Sequence, residues 1–182
     1  FHMSGVIILV FILYPMIKRG GGRQLHANTW WRFSNVPIWD WLLILAGVSS
    51  SLYVGITWYE IDFELLGWHF FLLEQVLRQG DPAFIDVVFG TILIAVLLEA
   101  VRRTLGIVVP IIILLFTSYA VFGQYMPLMI LKHPGINWAQ YINNMYFPAE
   151  GIYGVTLWIV STVVFHFVLF GVIAQRMGLG QF

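Results

Sequence analysis

The sequence predicts an all-α integral membrane protein with about five transmembrane helices plus interfacial amphipathic helices. Three observations carry that prediction. The first is composition: the 182 residues are 60% hydrophobic and 10% charged, with a mean hydropathy of +0.86, against about 45–50% apolar and about 25% charged in an ordinary soluble domain. A chain of this size has no interior large enough for so many apolar residues, so much of its surface must face lipid. The second is a set of charge-free runs near the ~20 residues that a hydrocarbon core of about 30 Å requires. The third is the alternation of basic and acidic connections between those runs.

The opening run, Phe1 to Ile17, is barely long enough to span and reads as a helix truncated at its start. It ends in Lys18 and Arg19, whereas a signal peptide carries positive charge before its apolar stretch, so the expectation is a retained membrane segment. Residues 18 to 35 hold Lys18, Arg19, Arg23 and Arg32 with no acid, and Gly20 to Gly22 give the linker flexibility. From Trp41 to Tyr59 there are 19 residues without charge, which predicts a secure span. The next connection, residues 60 to 83, sets Glu60, Asp62, Glu64, Glu74 and Asp81 against Arg78 alone. Within it, Ile61 to Leu77 is rich in Leu and Phe and is expected to lie flat in the interface or to pack on neighbouring helices.

Phe84 to Thr104 is apolar between Val87 and Leu98, with Asp86 at one end and Glu99, Arg102 and Arg103 at the other, so it spans if its charged ends reach the interfaces. Gly106 and Pro110 then predict a tight turn with the proline in the first turn of the following helix. The 28 uncharged residues between Arg103 and Lys132 supply the next span. Trp138, Tyr141, Ile142, Met145 and Tyr146 recur at helical spacing beside Gln140, Asn143 and Asn144, a second amphipathic connection. Gly151 to Gln175 is the last span, 25 residues without charge.

Lys and Arg accumulate in short cytoplasmic loops. Placing residues 18 to 35 and Arg102, Arg103 and Arg176 inside leaves the acidic connection and Lys132 with Glu150 outside, so the N-terminus falls outside and the C-terminus inside. Trp30, Trp31, Trp39 and Trp41 then border the inner surface, and Trp58, Trp68 and Trp138 the outer one. An outer N-terminus without a signal peptide predicts one further helix before Phe1.

Nine basic and nine acidic residues balance, which leaves no basic face for nucleic acid. The absence of cysteine excludes disulfides, thiolate metal sites and cysteine nucleophiles. Glu99 with Arg102 and Arg103 is the strongest polar constellation, since i+3 and i+4 spacing puts the carboxylate beside both guanidinium groups. The expected structural reading is that both arginines snorkel to the inner surface while Glu99 pairs with one of them or with a neighbouring helix. His166, deep in the last span, has no second histidine at its depth to make a haem site, because His69 falls in a connection. Asp62, Glu64, Asp81 and Asp86 read as solvated loop charge. Three function classes stay open on residues alone: a transporter scaffold, a membrane anchor subunit of a redox enzyme complex, and a small homo-oligomeric channel.

From Asp86 onward the run DVVFGTILIAVLLEAVRRTLGIVVPIIILLFTSYAVFGQYMP, then MYFPAEGIYGV and FVLFGVIAQRMGLGQF, resembles the fused membrane component of tripartite ATP-independent periplasmic (TRAP) transporters of the TAXI subtype. Leu98, Glu99, Arg102, Arg103, Gly106 and Pro110 carry the likeness, with Tyr119, Phe122, Gly123, Glu150, Gly151, Gly154, Phe170 and Gly171. FILYP from Phe11 and WDWLL from Trp39 also fit, while residues 18 to 38 and 60 to 83 match weakly. The resemblance implies that residues 1–130 correspond to the small subunit without its first helix. It assigns 131–182 to a connecting interfacial helix and the first helix of the large subunit. It implies import of a carboxylate-type solute, delivered by a periplasmic solute-binding protein and coupled to an ion gradient, usually sodium. The small subunit is the static part, and the solute and sodium sites fall beyond Phe182. Glu99, Arg102, Arg103, Gly106, Pro110, Glu150 and Gly151 are then structural residues. The expected partners are the bilayer, the large membrane subunit or the remainder of a fused permease, and the binding protein. The expected location is a bacterial or archaeal inner membrane.

Overall fold

The computed structural model describes residues 2–15, 36–57, 61–65, 68–72, 75–78, 80–127, 130–147 and 151–178. Its elements are α1 (His2–Leu13), α2 (Ile38–Ile56), a hairpin of β1 (Ile61–Leu65) and β2 (Trp68–Leu72), and a 3-10 turn (Gln75–Arg78). They are followed by α3 (Phe84–Leu105), α4 (Val108–Phe122) with a 3-10 extension to Tyr125, and α5 (Trp138–Tyr146). A final span runs from Val155 to Arg176 as α6 (Val155–Ile159), a π-helical turn (Val160–Val164) and α7 (Phe165–Arg176).

The protein is a multi-pass membrane protein whose membrane-spanning elements are all helical. Among the described residues four helices are long and apolar enough to cross a bilayer: Ile38–Ile56, Phe84–Leu105, Val108–Tyr125 and Val155–Arg176. All four predicted spans beyond the opening run are therefore present. The fifth is not of spanning length as described: the 12 residues of α1 rise only about 18 Å at 1.5 Å per residue.

The hairpin corrects the expectation of an interfacial helix over Ile61–Leu77. Apolar and other residues alternate strictly through IDFEL, which pairs antiparallel with WHFFL. Period two favours strands over a helix. Ile61 pairs with Leu72, Phe63 with Phe70 and Leu65 with Trp68.

The core lies where α1, α2, α3 and α5 meet, built from Ile7, Phe11, Ile44, Leu93, Val96, Ala100, Ile142 and Tyr146. Small residues let the backbones close up, as membrane helix packing requires. A Cβ on Gly47 would stand 2.9 Å from Val96 Cγ1 and 3.0 Å from Ile7 Cγ2, and one on Gly90 would run into Ile142 Cγ2. For the second amphipathic connection the structure selects packing on neighbours: α5 buries Tyr141, Ile142, Asn143 and Tyr146. It is anchored to α4 by Thr117 and Tyr141 hydroxyls 2.8 Å apart, and to α3 by Trp138 Nε1 donating to Thr91 Oγ1 at 3.1 Å.

Gly106 ends α3 at φ +91°, ψ −175°, a backbone region essentially reserved for glycine. Pro110 is buried in the first turn of α4, where its missing N–H breaks no helical bond. The predicted turn is thus present. Residues 130–137 fold back on the far end of α4: Tyr119 donates its hydroxyl to Leu131 O at 2.8 Å, and Ile136 N donates to Ala120 O at 3.0 Å. His133 is held between Tyr119 O, 3.0 Å from Nε2, and Gly135 N–H, which donates to Nδ1 at 3.0 Å. With Nδ1 accepting, Nε2 carries the proton and donates to the carbonyl.

Candidate functional site

Two polar clusters sit at the opposite ends of α3. Asp86 and Glu99 are 13 residues apart in that helix, about 20 Å along its axis, and the segment between them is uncharged.

The first cluster forms where the end of α3 meets the end of α1 and the start of α2. Glu99 accepts from Arg102 Nε and Nη2, each at 2.7 Å, and from Arg103 Nε at 2.7 Å. The expected i+3 and i+4 pairing is therefore present in both registers. The two arginines then part company. Arg102 keeps 41% of its side chain exposed, as snorkelling predicts, whereas Arg103 is 5% exposed and turns inward. There Arg103 Nη1 lies 2.8 Å from Asp40 Oδ1 and donates to Tyr14 O at 3.2 Å, with the guanidinium 4.6 Å from the centre of the Phe11 ring. The expectation that both arginines reach the surface is corrected for Arg103, because a fully buried carboxylate on α2 waits for it.

Asp40 is a buried acid that the sequence did not single out as a partner of Arg103. It occupies the first turn of α2 with no exposure, where the positive end of the helix dipole favours an anion. The signal for it was a single acid between two interface tryptophans, Trp39 and Trp41, immediately before a long uncharged run. Two acids and two arginines neutralise one another while tying α1, α2 and α3 together.

The second cluster centres on Asp86 in the first turn of α3. It is fully buried, which overturns its reading as solvated loop charge. Its carboxylate accepts from the Tyr53 hydroxyl at 2.6 Å and from Ala83 N–H at 2.9 Å, and forms an ion pair with Arg78. Arg78 in turn lies 5.7 Å from the centre of the Phe147 ring, and Tyr53 stacks on Phe89 at 4.5 Å. Beside this cluster Tyr146 donates to Ser50 O at 2.5 Å, and Ser4 donates to Ser51 Oγ at 3.1 Å. Burial, and after it the nearby Tyr153, Tyr53 and Asp86, pushes the Tyr146 phenol well above its ordinary value. Burial likewise raises Tyr153. Asp81 remains exposed, and the side chains of Asp62 and Glu64 lie outside the described residues.

Gly151 stands where the chain returns to the end of α5: a Cβ there would meet Met145 O at 2.5 Å, and Ile152 N donates to that oxygen at 2.7 Å. Glu150 lies outside the described residues. The final span buries none of its residues. Its polar groups turn to its own backbone: Ser161 and Thr162 hydroxyls donate to Trp158 O, and His166 Nδ1 bonds Thr162 O. The π-helical turn contains Ser161 and Thr162, and His166 follows it in α7. One ring contact, His2 with Phe165 at 5.9 Å, reaches back to α1.

No family model, no curated protein and no solved structure matches the chain. Function is therefore read from the residues themselves. What the two clusters do chemically is hold: Glu99 pairs with Arg102 and Arg103 within α3, Asp40 and Asp86 each face an arginine from another element, and the Asp86 carboxylate is further saturated by hydrogen-bond donors.

Proposed function

We propose that this chain is the scaffold part of an ion-coupled secondary transporter of the TRAP type, TAXI subtype, with sodium as coupling ion. In this reading it imports a carboxylate-type solute delivered by a periplasmic solute-binding protein. It sits in a bacterial or archaeal inner membrane with its N-terminus outside and its C-terminus inside. One observation supports the reading: polar groups are concentrated within the α1, α2, α3 and α5 body, while α4 and the final span leave most of their apolar surface exposed among the described residues. A static frame needs a rigid interior and free lateral surface for a second membrane domain. Antiparallel packing supports the relative orientation, since Tyr14, Asp40 and Arg103 meet at one end of the bundle. Arginines at that end favour the cytoplasmic side.

The test is reconstitution with a large membrane subunit and a binding protein of the TAXI type. A stable one-to-one membrane complex, with sodium-gradient-driven uptake only when all three are present, is the expected result. Uptake or conductance by this chain alone would refute the scaffold role, and a haem spectrum in purified protein would place it with redox anchor subunits instead.

A further inference from the structure

The segment Lys132, His133, Pro134, Gly135 follows α4 and sets a turn signal beside an ionisable ring. Proline then glycine at φ +76° is the residue pairing of a type II turn, and this turn brings the chain back over the last carbonyls of α4. A helix end leaves such carbonyls without donors of its own. Here Ala120 O accepts the Ile136 N–H at 3.0 Å, and Tyr119 O lies 3.0 Å from His133 Nε2. The space is fitted to the ring: a Cβ on Gly123 would fall on the imidazole, and one on Gly135 would stand 2.8 Å from Val121 O. Tyr119 adds an edge-on contact, with ring centroids 4.8 Å apart. A carbonyl only accepts, so Nε2 carries the proton, and Gly135 N–H donates to the lone pair of Nδ1 at 3.0 Å.

We propose that His133 is a proton-operated clasp, which holds residues 130–137 on the far end of α4 while neutral and releases them when Nδ1 is protonated. An imidazolium has no lone pair, since both ring nitrogens donate. Tyr119 O serves it as well as it serves the neutral ring, but the Gly135 N–H then points at another N–H. Gly135 cannot turn aside toward α4, because even a Cβ at its position would collide with Val121 O. The bond that is lost belongs to the turn, so the turn lifts away. The closed form has no place for the second proton and the open form does, so closure is complete above the histidine range and is lost as pH falls through it. The ring is half-buried, within reach of water.

Few charges face the ring. From α4 its titratable neighbour is Tyr119, whose hydroxyl donates to Leu131 O, and from the loop it is Lys132, adjacent in sequence and exposed. Among the described residues no acid pairs with His133. The negative end of the α4 dipole favours a cation there, which keeps the ring beside Tyr119 O while the turn beyond it opens. Within α4 only Pro110 is buried, so its far end is tied down chiefly by this clasp and by the Thr117 and Tyr141 hydroxyl pair. Opening the clasp loosens that end of α4 from α5 without unfolding either helix.

The test is amide hydrogen exchange of the full chain in liposomes at about pH 8 and about pH 5, on either side of the imidazole range. Rates are corrected for the intrinsic pH dependence of exchange with an unstructured peptide of residues 130–137. The expected result is a several-fold acceleration in acid confined to that segment and centred on Gly135 and Ile136, with α5 and the Val87–Leu98 stretch of α3 unchanged. In His133→Asn the side-chain oxygen still accepts from the N–H two residues on but takes up no proton in this range, so the acid response should disappear. His133→Leu removes both bonds of the ring and should exchange fast at either pH. A parent without the acid response overturns the proposal. So does an acid response that survives in His133→Asn, or one that spreads through α3 as general loosening. Should leucine prevent folding, the asparagine variant alone decides.

Discussion

Replacing Asp40 by Asn keeps the shape of the side chain and removes its charge, which leaves the Arg103 guanidinium buried at 5% exposure without the carboxylate 2.8 Å away. Removing one partner of a buried ion pair costs about 3–5 kcal/mol. Arg103 retains Glu99 at 2.7 Å, the Tyr14 carbonyl and the Phe11 ring, so the loss falls at the lower end, about 3 kcal/mol. The double variant Asp40→Asn with Arg103→Met removes the stranded charge as well as its partner. It is therefore expected to be less destabilised than the sum of the single variants, by an interaction energy of about 2 kcal/mol, within the range for residues in one network. The assay is reversible unfolding of the detergent-solubilised protein by SDS titration, followed by the tryptophan signal, for the parent, both single variants and the double. An Asp40→Asn variant within about 0.5 kcal/mol of the parent, or strictly additive single effects, would refute the assignment of Asp40 as the partner that holds Arg103 inside.

Gly90→Ala places a methyl against Ile142 and Tyr146 and is expected to destabilise by about 1–3 kcal/mol through overpacking; Gly47→Ala, which meets flexible methyl ends of Val96 and Ile7, should cost less in the same titration. Gly106→Ala forces a side chain into the φ +91° position, so a loss of about 1–3 kcal/mol is expected, whereas Gly55→Ala, with open space around it, should not destabilise. Tyr146 has a folded pKa raised above its unfolded value, so its contribution is complete below the unfolded value near 10 and is lost as pH rises toward the folded one. Thermal stability should therefore fall above about pH 10, and Tyr146→Phe should flatten part of that fall while costing about 1 kcal/mol at neutral pH for the lost bond to Ser50 O.

Most of the helical frame was legible in the sequence because a bilayer imposes a length and a charge rule on every crossing. The run from Trp41 to Tyr59 predicts α2 to within a few residues, and the Glu99, Arg102 and Arg103 triad follows from helical spacing alone. Partners across helices were not legible in the same way. Asp40 and Asp86 stand at the first turns of their helices, where a lone acid reads equally as a boundary charge, and only packing shows that each faces an arginine from another element. Asp86 also meets Tyr53, 33 positions earlier in the chain, a relation that no local periodicity encodes. The hairpin is masked by composition: Leu and Phe enrichment suits an amphipathic helix as well as a strand, and only the period of two through Ile61–Leu65 separates them.

The charge balance of the two clusters has a consequence in any membrane that carries a potential. A transmembrane potential acts on an unpaired elementary charge with about 2.3 kcal/mol per 100 mV. At one end of α3 Asp40 and Glu99 offset Arg102 and Arg103, and at the other Arg78 offsets Asp86. Neither cluster therefore offers the field a net charge to pull along the membrane normal. The α1, α2 and α3 body is in this respect electrically silent, indifferent to the voltage swings that would drive a charged element from one side of the bilayer toward the other.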